Sequence, residues 1–139
     1  MIVKDLMTTS VTWVKSGSPA AAAVNIVRAE DVGIVPVCDV QGHLLGVVTD
    51  RDILMRCGLA GGGKVRTVDD IMSRNIVCAA PKDNIHDAAL KMSEFGVRRL
   101  PVVENEKLAG MLSLKDLASK RIFTAEIGHI IYNVCNKKP

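Results

Sequence analysis

The chain has 139 residues, 48% of them hydrophobic, with one Trp, one Tyr and two Phe. This length and composition predict a compact structure with an aliphatic core, and they exclude aromatic stacking as the main recognition device. The net charge of +3 comes from dispersed Lys and Arg, so we expect no nucleic-acid surface, which needs a clustered basic stripe.

Two copies of one pattern follow each other along the chain. The second copy lies 65 positions after the first, and the offset falls to 64 beyond a predicted hairpin turn. A turn absorbs such a deletion without moving the flanking strands. The matching segments are Val3-x-Asp5-Leu6-Met7 with Val68-x-Asp70-Ile71-Met72, Pro36-Val37 with Pro101-Val102, and Gly46-x-x-Thr49-x-x-Asp52 with Gly110-x-x-Ser113-x-x-Asp116.

In chain order, each copy predicts a strand, a helix, two strands joined by a turn, and a second helix. The first helix of each copy follows an N-cap, at Ser18 before Pro19 and at Asp83. Pro36 and Pro101 are expected at a sheet edge or strand start, because proline donates no hydrogen bond. The predicted strands are 11–14, 34–37, 44–49, 76–79, 100–103 and 108–113, and the predicted helices end near 30, 57, 95 and 121.

These elements predict an α/β (α+β) fold with β-α-β-β-α repeats at 1–57 and 65–121. Residues 58–64 form the expected linker. The tail, 122–139, carries apolar residues near helical spacing and is expected to pack as a helix, with a lid or a dimer contact as alternatives. A copy of about 60 residues buries too little surface to be comfortably stable alone, so we expect the two to pack as one pseudo-two-fold module.

The repeated hydroxyl and carboxylate, Thr49 with Asp52 and Ser113 with Asp116, close an apolar strand and open a helix. One interpretation is a capping box, in which the hydroxyl and the acid satisfy backbone N–H groups. The other is ligand binding, since a carboxylate can accept both hydroxyl hydrogens of a ribose cis-diol, whereas a phosphate would be repelled. Duplication favours ligand binding, with the hydroxyl still able to cap.

With these motifs in this order, the chain resembles a tandem pair of cystathionine β-synthase (CBS) domains, or Bateman module, over residues 2–121. The resemblance implies a regulatory sensor that binds an adenosine nucleotide (AMP, ADP or ATP) between its copies, without catalysis and without an obligatory cofactor. It also implies a homodimer and a regulated enzyme or transporter. The base slots it implies are lined by Ser10, Val11, Thr12, Val35 and Pro36 and by Asn75, Ile76, Val77, Leu100 and Pro101.

A phosphate group is bound by cationic side chains, and the two copies differ in the cations that they carry. Arg98 and Arg99 precede Leu100, whereas the first copy has Gly33 and Ile34 at the matching positions. A guanidinium suits a phosphate, although adjacent arginines also occur at solvated strand ends. Arg51 and Lys115, each one residue before a motif aspartate, are weaker candidates. We therefore expect two sites that do not bind alike.

Three alternatives stay open. The pair could be a scaffold without a ligand, it could bind S-adenosylmethionine or a dinucleotide, or it could be an enzyme acting on nucleotides. The sequence shows no nucleophile with a base and an orienting group, and its three histidines are scattered, so we expect neither catalysis nor a metal.

Compartment follows from cysteine spacing and hydropathy. The four cysteines form no Cys-x-x-Cys motif, which is typical of reduced cytoplasmic thiols. No apolar run approaches the ~20 residues that cross a bilayer. We expect a cytoplasmic protein with no membrane contact.

Overall fold

The computed structural model describes residues 1–30, 32–57 and 66–136. The predicted linker, 58–64, lies outside the described residues. The chain forms two compact units: a first unit of Thr12–Ile76, and a second unit of Met1–Val11 with Val77–Pro139. Both units combine helices with a small sheet, as predicted.

The first unit contains a three-stranded sheet with the order β1-β2-β3. β1 is parallel to β2, and β2 is antiparallel to β3. Its core is aliphatic and includes the fully buried Val35, Val37 and Val48. The elements are β1 (Val14–Lys15), α1 (Ala20–Glu30), β2 (Ile34–Cys38), β3 (Leu44–Thr49) and α2 (Asp50–Cys57).

The second unit repeats this order around an antiparallel pair of strands and adds a C-terminal helix. Asn105 and Glu106 form its hairpin turn with positive φ angles, where the first unit has the longer segment 39–43. The length difference between the repeats therefore falls in the turn, as predicted. The elements are α3 (Ile85–Phe95), β4 (Arg99–Glu104), β5 (Lys107–Ser113), α4 (Leu114–Ala118) and α5 (Thr124–Asn136).

The start of each sequence repeat packs in the unit built mostly from the other repeat. Val3, fully buried in the second unit, donates its N–H to the carbonyl of Asp83 at 2.9 Å. Val68, fully buried in the first unit, donates its N–H to the carbonyl of Ser18 at 2.9 Å. The sequence repeats and the compact units therefore begin at different points along the chain.

The first strand of each repeat is shorter than predicted. Instead of 11–14, β1 covers only Val14–Lys15, and 76–79 reduces to one parallel bridge between Ala79 and Val102. Extending either ladder would need an N–H group on Pro36 or Pro101, and proline has none. Both ladders therefore stop at the proline.

The proline prediction holds for Pro101 and is wrong for Pro36. Pro101 lies in a two-stranded sheet, where every strand is an edge. Pro36 lies in the central strand β2, although β1 pairs only with Val37 and Cys38. Pro36 is tolerated because the neighbouring strand does not reach it.

Two helix ends also differ from prediction. The N-cap of α3 is Asn84, whose side chain accepts from the N–H of His86 at 2.8 Å, while Asp83 caps the preceding turn by accepting from the N–H of Ala80. α4 ends at Ala118 instead of near 121. Its end is marked by Ser119, which donates its hydroxyl back to the carbonyl of Asp116 at 2.6 Å.

The tail forms a packing helix, as predicted. A 3₁₀ turn at Arg121–Phe123 leads into α5, which packs along α3. Phe123 and Ile130 are fully buried in the core of the second unit. Asn133 adds two hydrogen bonds of 2.8 Å to the carbonyl and hydroxyl of Ser93.

Across the described residues, no helix combines the length and apolar character needed to cross a bilayer.

Candidate functional site

The first motif carboxylate lies at the N-terminus of α2, where β3 ends. Asp52 is only 8% exposed. Its Oδ2 accepts from the N–H of Thr49 at 2.9 Å, and its own N–H donates to Thr49 Oγ1 at 3.1 Å. This reciprocal pair is a capping box, so the capping interpretation of the motif is correct for this position.

The second motif carboxylate repeats this geometry at the N-terminus of α4. Asp116 Oδ2 accepts from the N–H of Ser113 at 2.8 Å, and the N–H of Asp116 donates to Ser113 Oγ at 3.1 Å. Asp116 is half-buried, in contrast to the buried Asp52. The two centres have the same local fold and different exposure to water.

A second hydroxyl reaches each carboxylate from a distant part of the sequence. Ser73 Oγ donates to Asp52, lying 3.0 Å from Oδ1 and 3.3 Å from Oδ2. Thr8 Oγ1 donates to Asp116 Oδ1 over a longer 3.4 Å. Neither residue is among the site residues predicted from the sequence. The signal was present, because Thr8 and Ser73 occupy the same repeat position, directly after the matching methionines.

The motif glycines allow this approach. A Cβ on Gly46 would lie 2.8 Å from the carbonyl of Ser73 and 2.8 Å from Met72 Sδ. A Cβ on Gly110 would lie 2.7 Å from the carbonyl of Thr8. The segment that carries each hydroxyl thus passes directly over the glycine, and any side chain there would displace it.

Backbone pairing and two carboxylates hold the Ser73 segment. Ser73 exchanges backbone hydrogen bonds of 3.0 and 2.8 Å with Val47 in β3. Hydrogen bonds from the N–H groups of Thr67 and Arg66 lower the pKa of Asp70. The hydroxyl of Ser16, with help from the N–H of Gly17, lowers the pKa of Asp69. Ionised Asp69 and Asp70 therefore anchor the turn that precedes Ser73.

The arrangement can accept hydroxyl hydrogens. A carboxylate has about four acceptor positions. At Asp52, the N–H of Thr49 and the hydroxyl of Ser73 engage two of them, so two acceptor positions are left once the described residues are counted. A carboxylate that is largely removed from water gains from partners that fill such positions.

The positions predicted to line base slots differ in exposure. The buried ones belong to the sheets, and the open ones lie in the segments that precede them. Val35, Pro36, Leu100 and Pro101 are buried, Val11, Ile76 and Val77 are half-buried, and Ser10, Thr12 and Asn75 are exposed.

The phosphate candidates lie at the surface. Arg98, Arg51 and Lys115 are exposed, and Arg99 at the start of β4 is half-buried. In ranges 1–30, 32–57 and 66–136, none of these four side chains takes part in an ion pair.

Metal-ligating and nucleophilic groups are dispersed in the part of the chain that the structure describes. No three His, Cys, Asp or Glu side chains there come together to hold a metal ion. Burial, helped by the charge of Asp39, raises the pKa of the Cys38 thiol to about 11, which makes it a poor nucleophile at neutral pH.

Comparison with known proteins identifies the repeat. The family model of the CBS domain matches twice, at residues 3–58 and 68–122. The chain belongs to the CBS domain family. The resemblance expected from the motifs is thereby confirmed, and the two units are the two halves of a CBS pair.

Two proteins similar to this CBS pair match it over most of their length. The CBS domain-containing protein YhcV of Bacillus subtilis is 33% identical over 135 residues, which are 97% of this chain and 96% of YhcV. The crystal structure of CBSX2 in complex with AMP has a TM-score of 0.78 and 30% identity, and the match covers 85% of this chain and 93% of CBSX2.

A further solved structure carries different adenosyl ligands. The CBS domain pair of protein MJ0100, in complex with 5′-methylthioadenosine and S-adenosyl-L-methionine, has a TM-score of 0.74 and 26% identity. The match covers 86% of this chain and 98% of that chain.

Proposed function

We propose that this CBS pair is a regulatory module that binds an adenosine nucleotide (AMP, ADP or ATP) and carries out no catalysis. The observation that carries the proposal is the buried Asp52 carboxylate at a helix N-terminus, which accepts from only two groups among the described residues and so keeps two of its roughly four acceptor positions. Those positions match the two hydroxyl hydrogens of a ribose cis-diol. Asp116 with Ser113 is the second proposed ribose centre.

Relatives support the adenosyl part of the ligand. CBSX2 was solved with AMP, and the MJ0100 pair was solved with 5′-methylthioadenosine and S-adenosyl-L-methionine. These ligands share adenine and ribose and differ beyond the sugar. A carboxylate that grips the diol suits all of them, so S-adenosylmethionine is the second candidate ligand.

Regulation then follows from linkage. A ligand that makes more contacts in one arrangement of the protein shifts the population toward that arrangement. In our proposal, a bound nucleotide biases the CBS pair in this way, and a regulated enzyme or transporter responds to the change. A homodimer is part of the proposal, supported by the apolar Leu54 and Met55, which are 74% and 58% exposed on α2. The cytoplasmic location stays a prediction.

Thermal and calorimetric titration tests the ligand. Wild type is titrated with AMP, ADP, ATP, S-adenosylmethionine and 5′-methylthioadenosine. A ligand that binds only the folded state stabilises it by about 2.7 kcal/mol at a hundredfold excess over Kd. Asp52→Asn is expected to weaken binding at its centre at least about tenfold.

Asp50→Asn is the matched control, because Asp50 is an exposed neighbour in α2 and undergoes the same change of charge. Binding in this variant should equal that of wild type. If no adenosyl compound stabilises the wild-type protein, the ligand-free scaffold replaces the sensor. Product formed from any of these compounds by the purified chain would instead support an enzyme.

A further inference from the structure

The two motif carboxylates differ in how firmly a second hydroxyl holds them. Ser73 Oγ lies within 3.3 Å of both Asp52 oxygens, whereas Thr8 Oγ1 reaches one oxygen of Asp116 at 3.4 Å. Hydroxyl-to-oxygen hydrogen bonds are typically 2.5–3.0 Å long. The Ser73 contact is therefore the stronger of the two.

Ser73 is itself tied to the helix that carries Asp52. Arg56 on α2 donates from Nη1 to the carbonyls of Ile71 and Met72, at 3.0 and 3.1 Å. These carbonyls immediately precede Ser73. Lys120 stands at the repeat position that matches Arg56, and α4 has already ended at Ala118. In the first unit, Arg56 thus ties the segment that carries Ser73 to α2. The second unit has neither an arginine at this position nor a helix of the same length.

We propose that Ser73 is a positioning residue: its hydroxyl orients the Asp52 carboxylate toward a ribose diol and makes the Asp52 centre the tighter of the two. This inference rests on the proposed function and adds that the Asp52 centre has the higher affinity and fills first. The hydroxyl lies within reach of both oxygens, and the N–H of Thr49 donates to Oδ2. A carboxylate already held by two donors loses little freedom when a diol binds to it.

Burial acts in the same direction. Asp52 is 8% exposed and Asp116 is half-buried. At Asp116, water competes for the acceptor positions, and a weak hydroxyl contact leaves the carboxylate less oriented. Binding there must order the carboxylate as well as the ligand, which lowers the affinity.

The test compares Ser73→Thr with Ser73→Val, two variants of the same shape that differ in the hydroxyl. Both are made in the full chain with Asp116→Asn, so that binding reports on Asp52. AMP and 2′-deoxy-AMP are titrated by calorimetry, because the second nucleotide lacks one hydroxyl of the diol. The ratio of the two affinities measures how well the carboxylate grips the diol.

Ser73→Thr should match the parent in both affinities. Ser73→Val should weaken AMP about tenfold, and it should weaken 2′-deoxy-AMP much less, so that the ratio falls. Thr8→Val, in a chain with Asp52→Asn, should change AMP affinity less than about threefold, because a 3.4 Å contact contributes little. If valine at 73 prevents folding, Ser73→Ala replaces it and the same ratio decides.

Three outcomes overturn the inference. Ser73→Val and Ser73→Thr could bind alike, valine could weaken both nucleotides equally, as general damage to the fold would, or the Asp116 centre could bind AMP more tightly than the Asp52 centre. Each leaves the proposed function intact, since AMP still binds. Failure of the wild-type protein to bind any adenosyl compound overturns the proposed function itself.

Discussion

At the scale of single residues, carboxylates shape both units by accepting backbone hydrogen bonds. Asp52 and Asp116 cap helices, while Asp5 and Asp70 cap the 3₁₀ turns that open the repeats. The two repeated pairs of Asp residues therefore have different roles in the structure. One pair anchors the segments that open the repeats, and the other pair closes capping boxes at helix N-termini.

The contribution of Asp69 to the stability of the fold can be tested by changing the pH. Its Oδ1 accepts from the hydroxyl of Ser16 at 2.5 Å, its Oδ2 accepts from the N–H of Gly17 at 2.6 Å, and its pKa is lowered mainly by the Ser16 bond. A lowered folded-state pKa gives stability that is present above the unfolded value of about 3.9 and is lost as the pH falls through the folded value. We expect Asp69→Asn to lower the free energy of unfolding by about 1 kcal/mol at pH 7, a modest figure because the group is partly exposed.

The measurement is urea unfolding of both proteins from pH 7 down to pH 2.5. The difference between wild type and Asp69→Asn should shrink below about pH 4, where the carboxyl of wild type becomes protonated. Glu104→Gln, an exposed residue at the end of β4, is the control for loss of one negative charge. A difference that stays constant over the whole pH range would contradict the assignment.

At the scale of elements, close backbone approach explains the motif glycines. Gly46→Ala would place a Cβ 2.8 Å from the carbonyl of Ser73, which already accepts from the N–H of Val47. The segment must shift, and we expect a loss of about 1–3 kcal/mol in the free energy of unfolding. At Gly128 in α5, the same added carbon would meet no described atom within 4 Å outside its chain neighbours and its own helix backbone. Gly128→Ala should therefore stabilise by about 0.5–1 kcal/mol through helix propensity.

Chemical denaturation of these two alanine variants separates steric from propensity effects. We expect Gly46→Ala to lower the free energy of unfolding and Gly128→Ala to raise it. Gly46→Ala with the stability of wild type would mean that the hydroxyl segment moves aside easily, and the rigid placement of Ser73 would then be wrong.

Helix α5 offers a matched pair of isoleucines. Ile130 is fully buried, and its neighbour Ile131 is 46% exposed on the same helix. Ile130→Ala should cost about 2–4 kcal/mol through lost burial and the cavity left behind, while Ile131→Ala should cost less than about 1 kcal/mol. Urea unfolding measures both. Similar losses for the two variants would contradict the packing of α5 into the core.

How far the sequence predicts these elements depends on the kind of interaction. Helix α1 ends at Glu30 and α3 at Phe95, as predicted, because spacing and the left-handed Gly96 are local signals. The shortened first strands and the cap at Asn84 were missed. The length of the first strands depends on the N–H group that is missing from a proline in a neighbouring strand. The cap depends on whether Asp83 or Asn84 serves the helix, because Asp83 caps the preceding turn instead.

For the candidate site, the sequence locates the carboxylates and misses their second hydroxyls. Thr49 and Asp52 are three residues apart, so their pairing follows from helix geometry. Ser73 lies 21 positions from Asp52, and Thr8 lies 108 positions from Asp116. These partners meet only because the start of each repeat packs in the unit built mostly from the other repeat. No local sequence pattern encodes that packing.

At the scale of the whole molecule, the repeats share a fold and diverge at positions that we propose to bind ligand. The second repeat carries Arg98 and Arg99, one exposed and one half-buried, where the first carries Gly33 and Ile34. The first repeat carries the better-held carboxylate at Asp52. In our proposal, Asp52 is the centre that holds the sugar more firmly, and Arg98 and Arg99 are the cations that contact phosphate.

The two arginines of the second repeat can be tested by substitution. At the centre that these arginines serve, the double variant Arg98→Ala, Arg99→Ala should weaken AMP binding about tenfold or more, because a guanidinium pairs with phosphate oxygens through charge-assisted hydrogen bonds. Adenosine has no phosphate, so its affinity should stay within about twofold of wild type. Calorimetric titration of both ligands gives the comparison, and Arg121→Ala, another exposed arginine of the second unit, controls for lost positive charge. Equal losses of AMP and adenosine would show that the arginines support the fold and do not contact phosphate.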